Sequence, residues 1–218
     1  MNRILKTVLN LTGAAALAAL AVTAVVPSSP AVAAPSGEQA RLDQAVAALR
    51  GIRTLKADFV QTDRSGQSVS GVLTLKRPGR IRFQYEKSVP MLIVGDGKAL
   101  TLIDYEVNQV QRWPISNSPL GALLDPGRDV SKFGTLKPTG DPNVISVEVR
   151  DRKHPEYGVI TLIFTRNASA PGGLELSYWV ALDSQNKRTT VRLTNHRYGL
   201  DVPDSTFRWK DPRPRVRR

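Results

Sequence analysis

From Leu55 onward the apolar residues of this chain recur at every second position, in short runs separated by turn residues. Leu55, Ala57 and Phe59 alternate with Lys56, Asp58 and Val60, and Gln61 continues the first set. Leu73 and Leu75 alternate with Thr74 and Lys76; Ile81, Phe83 and Tyr85 alternate with Arg80, Arg82 and Gln84. Leu100 and Leu102 follow Gly95-Asp96-Gly97, where the Asp-Gly pair favours a tight hairpin. Further runs lie at Val107–Trp113, Val144–Val149, Gly158–Thr165, Leu174–Leu182 and Thr189–Tyr198. A period of two places one set of side chains on each face of a strand. Short strands joined by turns, with no helices between them, pair antiparallel. About ten such strands in one sheet must curl, because wide twisted sheets rarely stay open and flat.

A curled sheet with an apolar face needs a cover, and two segments have helical spacing. Leu42, Val46 and Leu49 form a stripe with Ala45 and Ala48 beside it, behind Ser36-Gly37-Glu38-Gln39, whose Ser-x-x-Gln pattern caps a helix start; the helix ends at Gly51. Ser118-Pro119-Leu120-Gly121-Ala122-Leu123-Leu124 predicts a second, short helix with Pro at its first position. No composition break divides residues 34–205 and no internal repeat is present. The expectation is one α+β domain.

The first 33 residues stand apart. Arg3 and Lys6 precede an Ala/Leu/Val stretch over Val8–Val26, then Pro27-Ser28-Ser29-Pro30 and an Ala-x-Ala site at Ala31-Val32-Ala33. This is the pattern of a cleaved secretory signal peptide, with the cut after Ala33. No later apolar run reaches membrane length. The chain has 218 residues and a formal charge of +12; without Arg3 and Lys6 the remainder carries 29 basic and 19 acidic side chains. Residues 187–218 hold ten basic and three acidic side chains, ending in the Pro/Arg-rich tail 211–218. That tail is either solvated or attracted to anionic lipid headgroups. Nucleic acid is not an expected partner of an exported chain lacking an aromatic–basic motif.

Zero cysteine excludes disulfides, thiol catalysis, Cys-ligated zinc, iron–sulfur clusters and a lipid-modified N-terminal cysteine. An exported chain without cysteine suits a bacterial periplasm. His154 and His196 stand 42 residues apart without neighbouring ligand types, and both read as exposed strand or loop residues. Asp96 is a turn former and Asp104 ends a strand, so they make a poor carboxylate pair. G-x-S-x-G, P-loop, H-E-x-x-H and S-x-x-K patterns are missing. The chain reads as a non-enzyme, with no cofactor or metal implied. One residue breaks the pattern. Arg77 shares the inward parity of Leu73 and Leu75 if the strand continues, and simply lies in the turn if the strand stops at Lys76 before Pro78.

The segment Leu73-Thr74-Leu75-Lys76-Arg77-Pro78-Gly79-Arg80-Ile81-Arg82-Phe83-Gln84-Tyr85 resembles the "l-x-l-x-R-P-x-x-F/I-R-W/F-x-Y" stretch of the LolA family of periplasmic outer-membrane lipoprotein carriers. Ala57-Asp58-Phe59-Val60-Gln61, Val94-Gly95-Asp96-Gly97-Lys98, Asp104-Tyr105 with Gln109-Val110, and Ser118-Pro119-Leu120 with Leu123-Leu124 are similar to other family pieces, in the same order. The likeness is dense over 55–125 and thinner over 126–210, where Val202-Pro203 and Phe207 carry it. It implies a half-open antiparallel β-barrel of about eleven strands, with helices forming a lid over an apolar cavity, in a carrier domain spanning 34–210. It implies a monomer that accepts acylated lipoproteins from an inner-membrane ABC transporter and hands them to an outer-membrane acceptor.

Arg77 matches the family's arginine that bonds to the lid backbone in the closed, empty state. Phe59, Leu73, Leu75, Ile81, Phe83, Leu92, Leu102, Leu120, Leu123 and Leu124 are the expected lipid-facing residues. Phe83 stands where tryptophan is commoner, Leu55 where an aromatic is often found, and the basic tail lies outside the family core. These departures keep a second cargo class open: another lipid or glycolipid on the same fold. A third alternative is a domain whose apolar interior is only a filled core.

Overall fold

The computed structural model describes residues 37–117, 120–124 and 130–214. The segment read as a signal peptide, Ser36, Ser118, Pro119 and the end of the basic tail lie outside them. Helix α1 (Gly37–Gly51) comes first, with Glu38 in its first turn and Arg50 in its last, each facing the favourable end of the helix dipole. Strands β1 (Thr54–Thr62), β2 (Ser68–Lys76), β3 (Arg80–Tyr85), β4 (Met91–Asp96), β5 (Ala99–Asp104) and β6 (Gln109–Pro114) follow as a run of hairpins. After a connection holding α2 (Gly121–Leu124) and α3 (Val130–Phe133) come β7 (Gly134–Lys137), β8 (Val144–Arg150), β9 (Val159–Arg166), β10 (Leu174–Leu182) and β11 (Arg188–Tyr198).

All eleven strands form one sheet, in the order β6-β5-β4-β3-β2-β1-β11-β10-β9-β8-β7. Every pairing is antiparallel. The sheet has two free edges, β6 and β7, so it is a half-open barrel. The order also dictates the lid. Consecutive strands β6 and β7 sit at opposite edges, so the connection between them leads from one edge to the other, and α2 and α3 lie in it. The curl is visible in side-chain contacts. Strands β3 and β10 are four strand spacings apart, about 19 Å in a flat sheet. Yet the rings of Phe83 on β3 and Trp179 on β10 approach to 6.1 Å between centroids.

The concave face carries the main core: Leu55, Ala57 and Phe59 of β1, Leu73 and Leu75 of β2, Ile81, Phe83 and Tyr85 of β3, and Leu100 of β5 line one half. Ile145, Val147, Val149, Ile160, Leu162, Phe164, Leu174, Leu176, Trp179, Val191 and Leu193 line the other. Helix α1 buries Leu42, Ala45, Val46, Ala48 and Leu49 into this face. Its far end is gripped by the β9–β10 turn, where Gly172 (φ +66°) lies so close that a Cβ there would stand 2.9 Å from the Ala48 Cα. Only glycine fits that approach and that backbone conformation.

The convex face carries a second, smaller core. Leu92 and Val94 of β4 and Ile103 of β5 are covered by Val202 and Phe207 from the segment after β11. One expectation shifts here. Val107 belongs to an exposed turn, with Asn108 at φ +54°, and β6 starts at Gln109. The edge strand β7 is short, half-exposed and carried no readable alternation. In the tail, Arg213 pairs with Asp211 two residues before it.

Candidate functional site

An aromatic chain runs across the concave face. Phe59 meets Phe83 edge-on at 5.3 Å and Tyr85 at 5.2 Å, and Phe83 meets Trp179. Edge-to-face packing of this kind adds to the simple burial of the rings. Beside it is a pocket of about 230 Å³ lined by Phe83, Ile93, Leu120, Trp179, Ala181 and Val191, with Gln61, Asp183, Lys187 and Thr189 as its polar wall. Leu120 stands just before α2, and its carbonyl accepts the N–H groups of Leu123 and Leu124 at 2.9 and 3.0 Å. Ala122, Leu123 and Leu124 are buried against the same core.

Of the residues expected to face lipid, Phe59, Leu73, Leu75, Ile81, Phe83, Leu123 and Leu124 sit together in the concave core, and Leu120 packs on it. Leu102 lies half-buried beside Ile93, on the same face as Leu100. Leu92 does not join them. It faces the convex side with Val94 and Ile103, while its neighbour Ile93 lines the pocket. The strand's register decides this, since one residue of slip exchanges the faces; the preceding Ser88-Val89-Pro90 gave no sign of it. Trp179, Ala181 and Val191 were readable as strand residues but not as pocket residues. The register shift between Leu176 and Tyr178 changes which parity of β10 points inward.

Arg77 combines both of its readings. Strand β2 ends at Lys76, so Arg77 lies in the turn, and its backbone N–H donates to the Arg53 carbonyl at 2.8 Å. Its side chain nevertheless runs inward: Nε donates to the carbonyl of Ile52, where the chain leaves α1, at 3.0 Å. Its Nη2 is buried with no partner among the described residues. Burial holds the guanidinium below its ordinary pKa. The observed bond is therefore to the exit of α1 rather than to α2. Tyr85 donates from its phenol to Gln61 Oε1 at 2.8 Å, and burial pushes that phenol up to about 12.

The other titratable candidates are structural. Asp96 Oδ1 accepts the N–H groups of Lys98 and Ala99, both at 2.8 Å, and Oδ2 pairs with Arg112 at 2.6 Å. Asp104 caps the turn at the other end of β5, accepting from Glu106 at 2.9 Å. His154 stacks on Tyr157 and pairs with Glu156. His196 corrects its expected exposure. Its side chain is 4% exposed, with Nδ1 3.4 Å from Glu175 and Nε2 2.9 Å from the Leu176 carbonyl. The strand bulge around Asn195 (φ +55°) accompanies this departure from simple alternation.

The sequence profile of the family described as "Outer membrane lipoprotein carrier protein LolA" matches residues 50–210. An outer-membrane lipoprotein carrier protein of Dechloromonas aromatica is 30% identical, covering 78% of this chain and 84% of that one. Another, from Xanthomonas axonopodis pv. citri, is 35% identical over 73% of this chain and 79% of its own. A solved LolA superfamily protein from Nitrosomonas europaea aligns at 11% identity and a TM-score of 0.46, covering 79% and 97% of the two chains. With the profile spanning most of the sequence, the chain belongs to the LolA family of outer-membrane lipoprotein carrier proteins.

Proposed function

We propose that this protein carries lipoproteins by sheltering their acyl chains on the concave face of the sheet, between an inner-membrane donor and an outer-membrane acceptor. The observation that carries the reading is the apolar pocket between the aromatic chain and Leu120, in a chain of this family. A 16-carbon chain moved from water into apolar surroundings gains about 0.8 kcal/mol per CH₂, or ~12 kcal/mol. Full burial of several chains would make release too slow, so a carrier needs a closed, empty state that competes with cargo. The pocket is smaller than the roughly 300–1,000 Å³ of a site that encloses a drug-sized ligand. Admitting a whole chain therefore requires α2 and its neighbours to move off the core.

Arg77 fits the role of closing device. Its bond to Ile52 ties the rim of the sheet to the exit of α1, and its second nitrogen is buried but unsatisfied. A charged hydrogen bond contributes about 1.5–3 kcal/mol. Arg77→Leu removes that bond, and the expected variant still loads cargo but transfers it onward slowly. Wild-type release by Arg77→Leu would reject this role.

The carrier reading itself is tested with spheroplasts making a tagged lipoprotein. Purified protein lacking residues 1–33 should bring the lipoprotein into the soluble fraction as a one-to-one complex. Release should disappear when the acylated cysteine of the cargo is replaced. The leader pattern of residues 1–33 supports a periplasmic site of action, checked by fractionation of cells and N-terminal sequencing. The ABC transporter as donor follows from the same family reading, and crosslinking in cells tests it.

A further inference from the structure

One wall of the pocket is not apolar: it holds one carboxylate, Asp183, and three side chains that can donate, Gln61, Lys187 and Thr189. Strands β10 and β11 are joined by a turn over residues 183–187 that stands at the pocket wall. The turn is locked by its own bonds. Asp183 Oδ1 accepts the N–H groups of Gln185 at 2.9 Å and Lys187 at 2.8 Å, and Asn186, at φ +58°, donates to the Asp183 carbonyl at 3.0 Å. Asp183 thus turns one carboxylate oxygen, Oδ1, into its own turn, while the backbone of Lys187 is held in place. In the same wall, Gln61 Oε1 is occupied by the Tyr85 phenol, which leaves the two N–H donors of Nε2. Among the described residues, Lys187 Nζ, Thr189 Oγ1 and Gln61 Nε2 make no hydrogen bond. An ammonium, a hydroxyl and an amide therefore line one apolar pocket with their donors unspent.

Resting on the carrier reading of this pocket, we infer that Lys187, Thr189 and Gln61 form a subsite for an anionic group borne close to an acyl chain. The pocket then prefers amphiphiles with a carboxylate or phosphate a few bonds from the chain over neutral ones. The anion has two sources, a lipid headgroup or an acidic side chain beside the acylated residue of a cargo polypeptide. The charge on Lys187 supplies the preference, and the two neutral donors supply its geometry. Because the site opens to solvent, the preference declines as salt is added.

The test measures displacement of the neutral fluorophore N-phenyl-1-naphthylamine from the purified protein by two matched pairs. One pair is palmitate and methyl palmitate. The other is two dipalmitoylated cysteinyl peptides, continuing Ser-Glu-Glu or Ser-Gln-Gln. The charged member of at least one pair should bind about tenfold tighter, and the pair that shows it identifies the source. Lys187→Ala should abolish that preference, Lys187→Glu should reverse it, and Lys187→Arg should keep it. Equal displacement by charged and neutral members overturns the subsite while leaving the carrier reading intact. An equal loss for both members in Lys187→Ala also overturns it. Failure of every probe to bind overturns both readings.

Discussion

The same strands, β3 to β5, are covered on their two sides by different physical means. On the concave side Ile81, Phe83 and Leu100 meet other apolar groups, with helices laid over them. On the convex side the cover is the segment after β11, and it is held by directional polar bonds. Thr54 donates to the Leu200 carbonyl at 2.9 Å, Lys76 to the Val202 carbonyl at 2.7 Å, and Arg82 to the carbonyls of Thr206 and Arg208 at 3.1 and 3.0 Å. Asp204 pairs with both Lys76 and Arg80. This segment is not a strand, so its carbonyls lack ladder partners, and the long basic side chains of β2 and β3 supply them. Apolar contact is non-directional and exchanges one apolar partner for another at small cost. A bonded strap does not. On the proposed carrier reading, the concave side is the one that exchanges cargo and the convex side stays fixed.

The largest effect should come from the concave face. Phe59 is 1% exposed and touches both Phe83 and Tyr85. Phe59→Ala should cost about 3–5 kcal/mol in denaturant unfolding and should weaken binding of a neutral fluorescent apolar probe. Leu92→Ala, on the convex face, should cost about 2–5 kcal/mol while leaving probe binding unchanged. Should Leu92→Ala weaken the probe as much as Phe59→Ala does, the division between the faces fails.

Smaller still is the strap. Arg82→Ala removes the two charged bonds to the strap, and one to Gln84, from a half-exposed site and should cost about 1–3 kcal/mol. It should raise amide exchange over residues 199–209 with no change at α1. The smallest effect is that of Asp204, an exposed group whose carboxyl is held down to about 2 by hydrogen bonds from Arg80 and Lys76. A depressed carboxyl contributes stability that is complete above its ordinary value of 3.8 and is lost as pH falls through about 2. Strap protection measured by NMR should therefore weaken over that acidic window, and Asp204→Asn should flatten the dependence.

Much of the concave face was legible because a period of two repeats across β1, β2 and β3 without interruption. Phe59, Leu73, Leu75, Ile81 and Phe83 all landed where parity puts them. Leu92 did not, because Pro90 and the turn before it leave the register of β4 free until β3 and β5 pair with it. The bulges near Ser177 and Asn195 hid the inward face of β10 and the burial of His196 for the same reason. The convex strap was not legible as a cover: Val202 and Phe207 match the family's ending but carry no periodicity, and Lys76, Arg80 and Arg82 read only as the polar side of their strands.

By itself, then, the sequence determined the strand period, the single long helix, the lack of thiol chemistry and the family motifs around Arg77. These are local properties, written in spacing and composition. Tertiary structure decided which strands form the edges, and hence that the β6–β7 connection leads from one edge to the other. It also decided where Arg77 finds its acceptor, and that Gln61 and Lys187, 126 positions apart, line one pocket. Such outcomes depend on register, curl and bulges, which are set only when distant strands pair.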